Sequence, residues 1–269
     1  MTDLESVPFV FPDVAGRKVL VLGLGGGCDI ITAFAFSRLL NGETAKDIVY
    51  ANTKVGDVGR VEPVTAHILR VAGPLIESDR RVQGRGRAWI DHSVPRSPNG
   101  SPWIVLLADE LAERELVDEI RSLAFDLVIG VDTGGDSIAF KRGRGHRGRD
   151  QRMLRVLRQT GLPLLHVVVA PGSDGEASCE DLQTEFIQHA GAGRYRGCFD
   201  LGPMLPVFQS FRGSLGPTRT PQLILSAVEG RLARMADGRV VVPRGRKPVV
   251  PASWLTTGFV FAPGASVQA

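Results

Sequence analysis

Three short loops rich in glycine and carboxylates are the residues best suited to chemistry in this chain. They are Gly23–Asp29, Asp132–Asp136 and Pro171–Glu176, and each follows an apolar run typical of a buried strand. Glycines let backbone N–H groups approach a ligand closely, whereas carboxylates can hold a cation or transfer a proton. Because the loops after parallel strands gather at one edge of an open α/β sheet, the pattern predicts one composite polar site.

We expect the glycines of these loops to bind an anionic group and the carboxylates to supply ligands or acid–base chemistry. The predicted binding residues are Gly25, Gly26, Gly27, Gly134, Gly135 and Gly175. The predicted catalytic residues are Asp29, Asp132, Asp136, Asp150, Asp174 and Glu176. Several carboxylates in one cleft cannot all ionise without a counter-charge. A divalent cation, a cationic substrate group or a raised pKa is therefore expected, and the sequence does not choose among them or name a metal.

Each loop also has a purely structural interpretation. Gly25–Gly27 can be a tight strand–helix turn, and Asp174 with Gly175 is a common turn pair. Asp150 is either a charge favourable to a helix N-terminus or a site residue. NAD is disfavoured, because Cys28 stands where the dinucleotide fingerprint needs glycine and Asn52, rather than an acid, ends the second strand.

The hydrophobic pattern supplies the elements that must position these loops. Predicted strands are Lys18–Leu22, Asp47–Asn52, Trp103–Leu107, Asp126–Asp132, Leu164–Ala170, Arg239–Val242 and Gly258–Phe261. Predicted helices are Asp29–Leu40, Glu110–Ala124, Arg149–Thr160, one that opens at Ser178, and Pro221–Met235, with a short helix as an option at Val64–Val71. The alternation predicts an α/β fold: a doubly wound, mostly parallel, Rossmann-like sheet in three layers with late antiparallel strands. We expect a single α/β domain over 1–269, with an irregular excursion at about 53–102 that crosses the sheet edge.

Composition and charge indicate which classes of binding partner suit this chain. A formal net charge of +3 is a weak argument for nucleic acid and suits a small anionic metabolite equally well. The run Lys141–Arg149 is either a lid over such a substrate or a solvated loop, and it lacks the aromatic residues that stack on bases. His67 and His166 stand in apolar surroundings that favour core positions. Three widely spaced cysteines, with no signal peptide or membrane span in the pattern, predict a cytoplasmic protein with no membrane partner.

With these loops in view, the chain resembles the domain-of-unknown-function family 1152 over roughly residues 15–190. The resemblance rests on Gly25–Asp29, Asp132–Asp136 and Gly172–Glu176, with Cys28 where a further glycine is usual. Asp150 falls where a helix of that family also begins with aspartate. A more distant similarity of Asp132–Asp136 to D-glutamate cyclases implies lyase or cyclase chemistry on a small amino or carboxylic acid.

The leading functional hypothesis is an enzyme acting on a small polar or anionic metabolite, of hydrolase or lyase/cyclase type. One alternative is a non-catalytic nucleotide- or metabolite-binding module that uses the same loops. A nucleic-acid binder built on Lys141–Arg149 is a third and disfavoured hypothesis. The cofactor stays unknown, with a divalent cation as one candidate, and a homo-oligomer stays open.

Overall fold

The computed structural model describes residues 5, 7–40, 47–56, 58–72, 94, 100–139 and 148–263. The strands in these ranges are β1 (Lys18–Gly23), β2 (Asp47–Lys54), β3 (Val61–Pro63), β4 (Ile68–Val71), β5 (Trp103–Leu106), β6 (Leu127–Thr133), β7 (Leu164–Val169), β8 (Tyr195–Asp200), β9 (Arg239–Val241), β10 (Val249–Pro251) and β11 (Thr257–Phe261).

Six α-helices lie in the described part of the chain. They are α1 (Asp29–Leu40), α2 (Glu110–Ser122), α3 (Arg149–Gln159), α4 (Cys179–Gly191), α5 (Leu205–Ser210) and α6 (Thr220–Val228), with short 3₁₀ turns at Gly202–Met204 and Ala252–Thr256. Asp109 caps α2 and Ser178 caps α4, each by accepting a backbone N–H from the first turn. None of these described helices is both long and apolar enough to cross a membrane.

The described residues form a nine-stranded sheet in the order β3-β4-β5-β2-β1-β6-β7-β11-β8. The five central strands, from β5 to β7, run parallel. β3 and β4 add antiparallel strands at one side, while β11 pairs antiparallel with both β7 and β8 at the other. The chain winds outward from β1 in one direction and resumes with β6 in the other. The crevice between the carboxyl ends of β1 and β6 is therefore the switch point at which such sheets bind ligands.

Alternation along β1 shows why helices cover both faces of the sheet. Val19 and Val21 pack in one apolar cluster with α1, α5 and α6, whereas Leu20 and Leu22 pack in another with α2 and α3. α1 is buried on most sides because it lies between the sheet and α5 with α6. The predicted mostly parallel α/β fold, with helical layers on both faces and late antiparallel strands, is confirmed.

Two predicted elements need correction. The short helix proposed at Val64–Val71 is wrong, because residues Ile68–Val71 form β4 and pair with β3 and β5. The helix predicted over Pro221–Met235 begins at Thr220 and ends at Val228, where Gly230 adopts a positive φ of 67° and terminates it.

The excursion expected at about 53–102 is not irregular throughout its described part. β3 and β4 extend the sheet beyond β5 there, whereas residues 73–93 and 95–99 lie outside the described residues. Most of the basic run Lys141–Arg149 also lies outside them. β8 was not predicted, because Arg196 and Gly197 interrupt its apolar pattern.

Candidate functional site

A cavity of about 60 Å³ opens at the carboxyl ends of β1 and β6. Its acidic lining consists of Asp29, Asp136, Asp150, Asp174 and Glu176. The structure thus brings together carboxylates from the loops after three strands and from the first turn of α3. Gly25, Gly26 and Gly27 line the same cavity, so the loop after β1 forms one of its walls.

The loop after β1 places backbone directly against two carboxylates. Gly26 has φ of 81°, a conformation that glycine adopts without strain, and it lets the chain turn from β1 into α1. The Gly25 N–H donates to Asp29 Oδ2 at 2.8 Å. A Cβ at Gly25 would lie only 2.1 Å from Asp150 Oδ2, so no other residue fits there. One of the backbone N–H groups predicted to bind an anion is therefore already hydrogen-bonded to a carboxylate of the protein.

The loop after β6 is organised by Asp132, which is fully buried and does not line the cavity. Its carboxylate accepts the backbone N–H groups of Gly135 and Ser137, at 3.3 and 2.9 Å, and the Ser137 hydroxyl. His166 Nε2 lies 2.7 Å from that hydroxyl. Because the Ser137 hydroxyl donates to Asp132, His166 donates to Ser137. Asp132 is thus the residue that fixes the turn from which Asp136 projects.

The loop after β7 packs closely on the other two. Asp174 accepts the Glu176 N–H at 2.9 Å, and its carboxyl carbon lies 2.4 Å from where a Cβ of Gly134 would stand. A Cβ at Gly135 would meet Leu182, and one at Gly175 would meet the Arg244 carbonyl. Gly134, Gly135 and Gly175, which were predicted as binding residues, therefore allow segments of this chain to pack closely on one another. They are not among the residues that line the cavity.

Burial raises the pKa of the four aspartates that line this cavity. The pKa of Asp29 is raised to about 8 by burial and by Asp132, although the Gly25 N–H and Arg149 oppose that shift. Burial raises the pKa of Asp174 to about 6. The pKa values of Asp136 and Asp150 are raised well above 3.8, by burial first and then by neighbouring carboxylates. Asp136 and Asp150 lie close enough for one carboxyl group to hydrogen-bond to the other when one of them carries a proton.

The carboxyl groups have a spacing that a cation could use. Asp132, Asp136 and Asp150 each offer an oxygen within 4.8 Å of the other two. Carboxylate oxygens are the ligands preferred by Mg²⁺ and Ca²⁺. A divalent cation would add to the positive charge that Arg149 already brings to Asp150.

Three arginines at the cavity were missed by sequence reasoning as site residues. Arg149 precedes Asp150, and its Nε is buried without a hydrogen-bond partner among the described residues. Arg219 and Arg244 come from distant segments, and Arg244 Nη1 donates to Thr220 Oγ1 at 2.8 Å. Arg149 could have been found as the end of the basic run. Arg219 and Arg244 carry no local signal, because tertiary packing alone brings them to the site.

The fold and this cavity together define an α/β protein with a carboxylate-rich site at the switch point of its sheet. The family model described as "Protein of unknown function (DUF1152)" matches residues 107–236. This match confirms the resemblance to that family, over a range that includes the loops after β6 and β7 but not the loop after β1. None of the curated proteins compared with the chain matches it.

Proposed function

We propose that this chain is an enzyme that holds a divalent cation among its clustered aspartates and hydrolyses, or eliminates a group from, a small anionic metabolite. One observation carries the proposal. A single cavity at the switch point holds five acidic side chains, four of them with raised pKa values, and three arginines face the same space. The arginines neutralise only part of the acidic charge, since Arg149 Nε lies 3.9 Å from Asp150 Oδ1, and a divalent cation would neutralise more of it. The same arginines can bind the anionic group of a substrate.

Asp136 and Asp150 are the residues we assign to the cation. Both line the cavity, their oxygens are close, and a cation would replace a proton held by either of them. Asp132 offers an oxygen within 4.8 Å of these two groups from behind the cavity wall, while its hydrogen bonds hold the turn in place. A bound divalent cation lowers the pKa of water or polarises a substrate oxygen. Asp132, Asp136 and Asp150 fix where that can happen.

Asp174 and Asp29 are the candidates for proton transfer. With a pKa of about 6, Asp174 is mostly ionised at neutral pH and can accept a proton. Asp29, with a pKa of about 8, is mostly protonated and can donate one. Neighbouring acids whose pKa values are pushed apart are typical of acid–base pairs in active sites. Arg149, Arg219 and Arg244 would bind and orient the anionic group of the substrate.

The cation half of the proposal is tested by titrating the chelator-treated protein with Mn²⁺ and following free Mn²⁺ by electron paramagnetic resonance. We expect a saturable site in the wild type and at least a tenfold weaker one in Asp136→Asn and Asp150→Asn, since each loses an anionic ligand. Asp118→Asn is the matched control, because that side chain is 83% exposed and lies outside the cavity. Equal Mn²⁺ affinity in all four proteins would contradict the assignment.

The catalytic half is tested by incubating the enzyme and Mg²⁺ with a defined set of small phosphorylated and carboxylated metabolites. Mass spectrometry should show at least one compound converted, and conversion should cease with chelator or with Asp136→Asn but continue with Asp118→Asn. A compound that binds with a thermal shift and is never converted would instead favour the non-catalytic binding module.

A further inference from the structure

A second polar cavity lies beside the candidate site, between α3 and α4 and over β7. Its volume is about 400 Å³, within the range of sites for small metabolites. α3 contributes Arg155 and Arg158, α4 contributes Glu185 and His189, and β7 contributes His166. Ser137 also lines it, so the loop after β6 separates this cavity from the carboxylates.

The charges around this cavity do not balance. Arg155, Arg158 and Arg194 line it, against the single carboxylate of Glu185. Arg155 has an ion-pair partner elsewhere, since Glu113 Oε2 lies 3.7 Å from its Nη2. Arg158 and Arg194 make no ion pair within 4 Å among the described residues. Two guanidinium groups therefore line the cavity without an ion pair within 4 Å, and Glu185 acts on Arg194 only from a longer distance.

Buried nitrogens around the same cavity lack hydrogen-bond partners. In the described part of the chain these are Nε of Arg158, Nε of Arg194, and Nδ1 of both His166 and His189. His166 is fully buried and His189 is 8% exposed. Buried polar groups in folded proteins are nearly always paired, so four unpaired nitrogens beside one cavity mark a place for a bound water or ion.

Electrostatic repulsion among Arg158, Arg194 and His189 also favours a bound anion in this cavity. Burial, and then the charge of Arg194, lower the pKa of Arg158. Burial and the charges of Arg194 and Arg158 lower the pKa of His189 to about 4. Both histidines are therefore neutral at pH 7, and the two arginines carry the positive charge. An anion placed between them would relieve that repulsion.

We propose that the cavity between α3 and α4 binds the oxyanion group, phosphate or carboxylate, of a small metabolite through Arg158 and Arg194. Planar guanidinium groups bind such oxygens with two parallel hydrogen bonds. His166 and His189 are neutral and add no charge, so the two guanidinium groups carry the recognition of the anion. This site is separate from the carboxylate cavity and does not depend on the reaction proposed there.

The test is calorimetric titration with inorganic phosphate and, separately, with citrate, on chelator-treated protein. We expect Arg158→Gln and Arg194→Gln each to weaken binding of at least one of these anions tenfold or more. Arg196→Gln is the control, because that side chain is exposed on β8 and does not line the cavity. The stronger anion shows whether the site prefers phosphate or carboxylate.

Arg244→Gln separates this proposal from the one for the carboxylate cavity. Binding that survives Arg244→Gln and disappears in Arg158→Gln supports the site between α3 and α4. Binding that depends on Arg244 alone, or that Arg158→Gln leaves at the level of Arg196→Gln, overturns it. Should Arg158→Gln fail to fold, wild-type crystals soaked separately in selenate and in a bromine-labelled carboxylate decide the question. An anomalous peak between Arg158 and Arg194 with either anion supports the site, and its absence with both refutes it.

Discussion

Asp29 shows how the fold changes the chemistry of one carboxyl group. Burial and the nearby Asp132 raise its pKa from 3.8 to about 8, although the Gly25 N–H and Arg149 oppose that shift. The folded protein therefore keeps a proton on Asp29 at pH values where the unfolded chain has lost it. Because the unfolded state then binds fewer protons, this group lowers the free energy of unfolding as pH rises from about 4 to about 8.

Asp29→Asn should remove that dependence. At pH 8 the neutral amide avoids a buried charge, so the metal-free variant should be more stable than the wild type by at least about 1 kcal/mol, or roughly 2–4 °C in Tm. At pH 4 the two proteins should melt together, since Asp29 is then protonated in both states of the wild type for a large part of the population. Thermal unfolding from pH 4 to 8 in chelator, with Asp118→Asn as control, measures the difference. A Tm difference that does not grow with pH would contradict the raised pKa.

Among the elements that form the site, the loop after β1 packs tightly against the first turn of α3. A Cβ at Gly25 would meet Asp150 at 2.1 Å and Asp29 at 2.7 Å. Gly25→Ala should therefore push α3 from the loop, at a cost of about 1–3 kcal/mol in stability, and weaken Mn²⁺ binding at least tenfold. Gly56→Ala is a matched control, because no atom lies within 4 Å of its added Cβ. Mn²⁺ affinity that is the same in both variants would show that this contact does not shape the site.

The elements that sequence predicts well are those whose pattern follows from local burial. The helix Asp29–Leu40 was predicted with its exact bounds, and β6 and β7 were predicted to within a residue, because continuous apolar runs mark elements buried on the sheet. β4 was missed because its identity depends on pairing with β3 and β5, and only Ile68 and Val71 of its residues are buried. Strand pairing between distant segments leaves little trace in a short window of sequence.

In the candidate site, too, some residues could be predicted from local sequence and others depend on contacts between distant segments. Asp29, Asp136 and Asp174 were predictable because they follow parallel strands, which deliver their loops to one edge, whereas Asp150 lies in the first turn of α3. Arg219 and Arg244 were not predictable, since they arrive from the start of α6 and from beyond β9. The role of Asp132 also needed coordinates, because only its hydrogen bonds to Gly135 and Ser137 show that it supports the loop instead of facing the cavity.

For the whole molecule, the proposed cation must compete with protons. Asp136 and Asp150 have pKa values raised well above 3.8, and Asp29 and Asp174 hold their protons up to pH values of about 8 and 6. Metal ligands must be deprotonated, so cation binding should release protons and strengthen as pH rises. Since a ligand stabilises only the state that binds it, the rise in Tm caused by Mg²⁺ should grow with pH.

We therefore expect a fixed Mg²⁺ concentration to raise Tm little at pH 5.5 and progressively more up to pH 8.5. A free Mg²⁺ concentration about 100 times the dissociation constant would add about 2.7 kcal/mol to the free energy of unfolding. Calorimetry in two buffers of different ionisation enthalpy counts the protons released, and at least one is expected near pH 7. Asp136→Asn should lose most of the Mg²⁺ effect, whereas Asp118→Asn should keep it. A Tm shift independent of pH, or equal in both variants, would place the cation outside the carboxylate cavity.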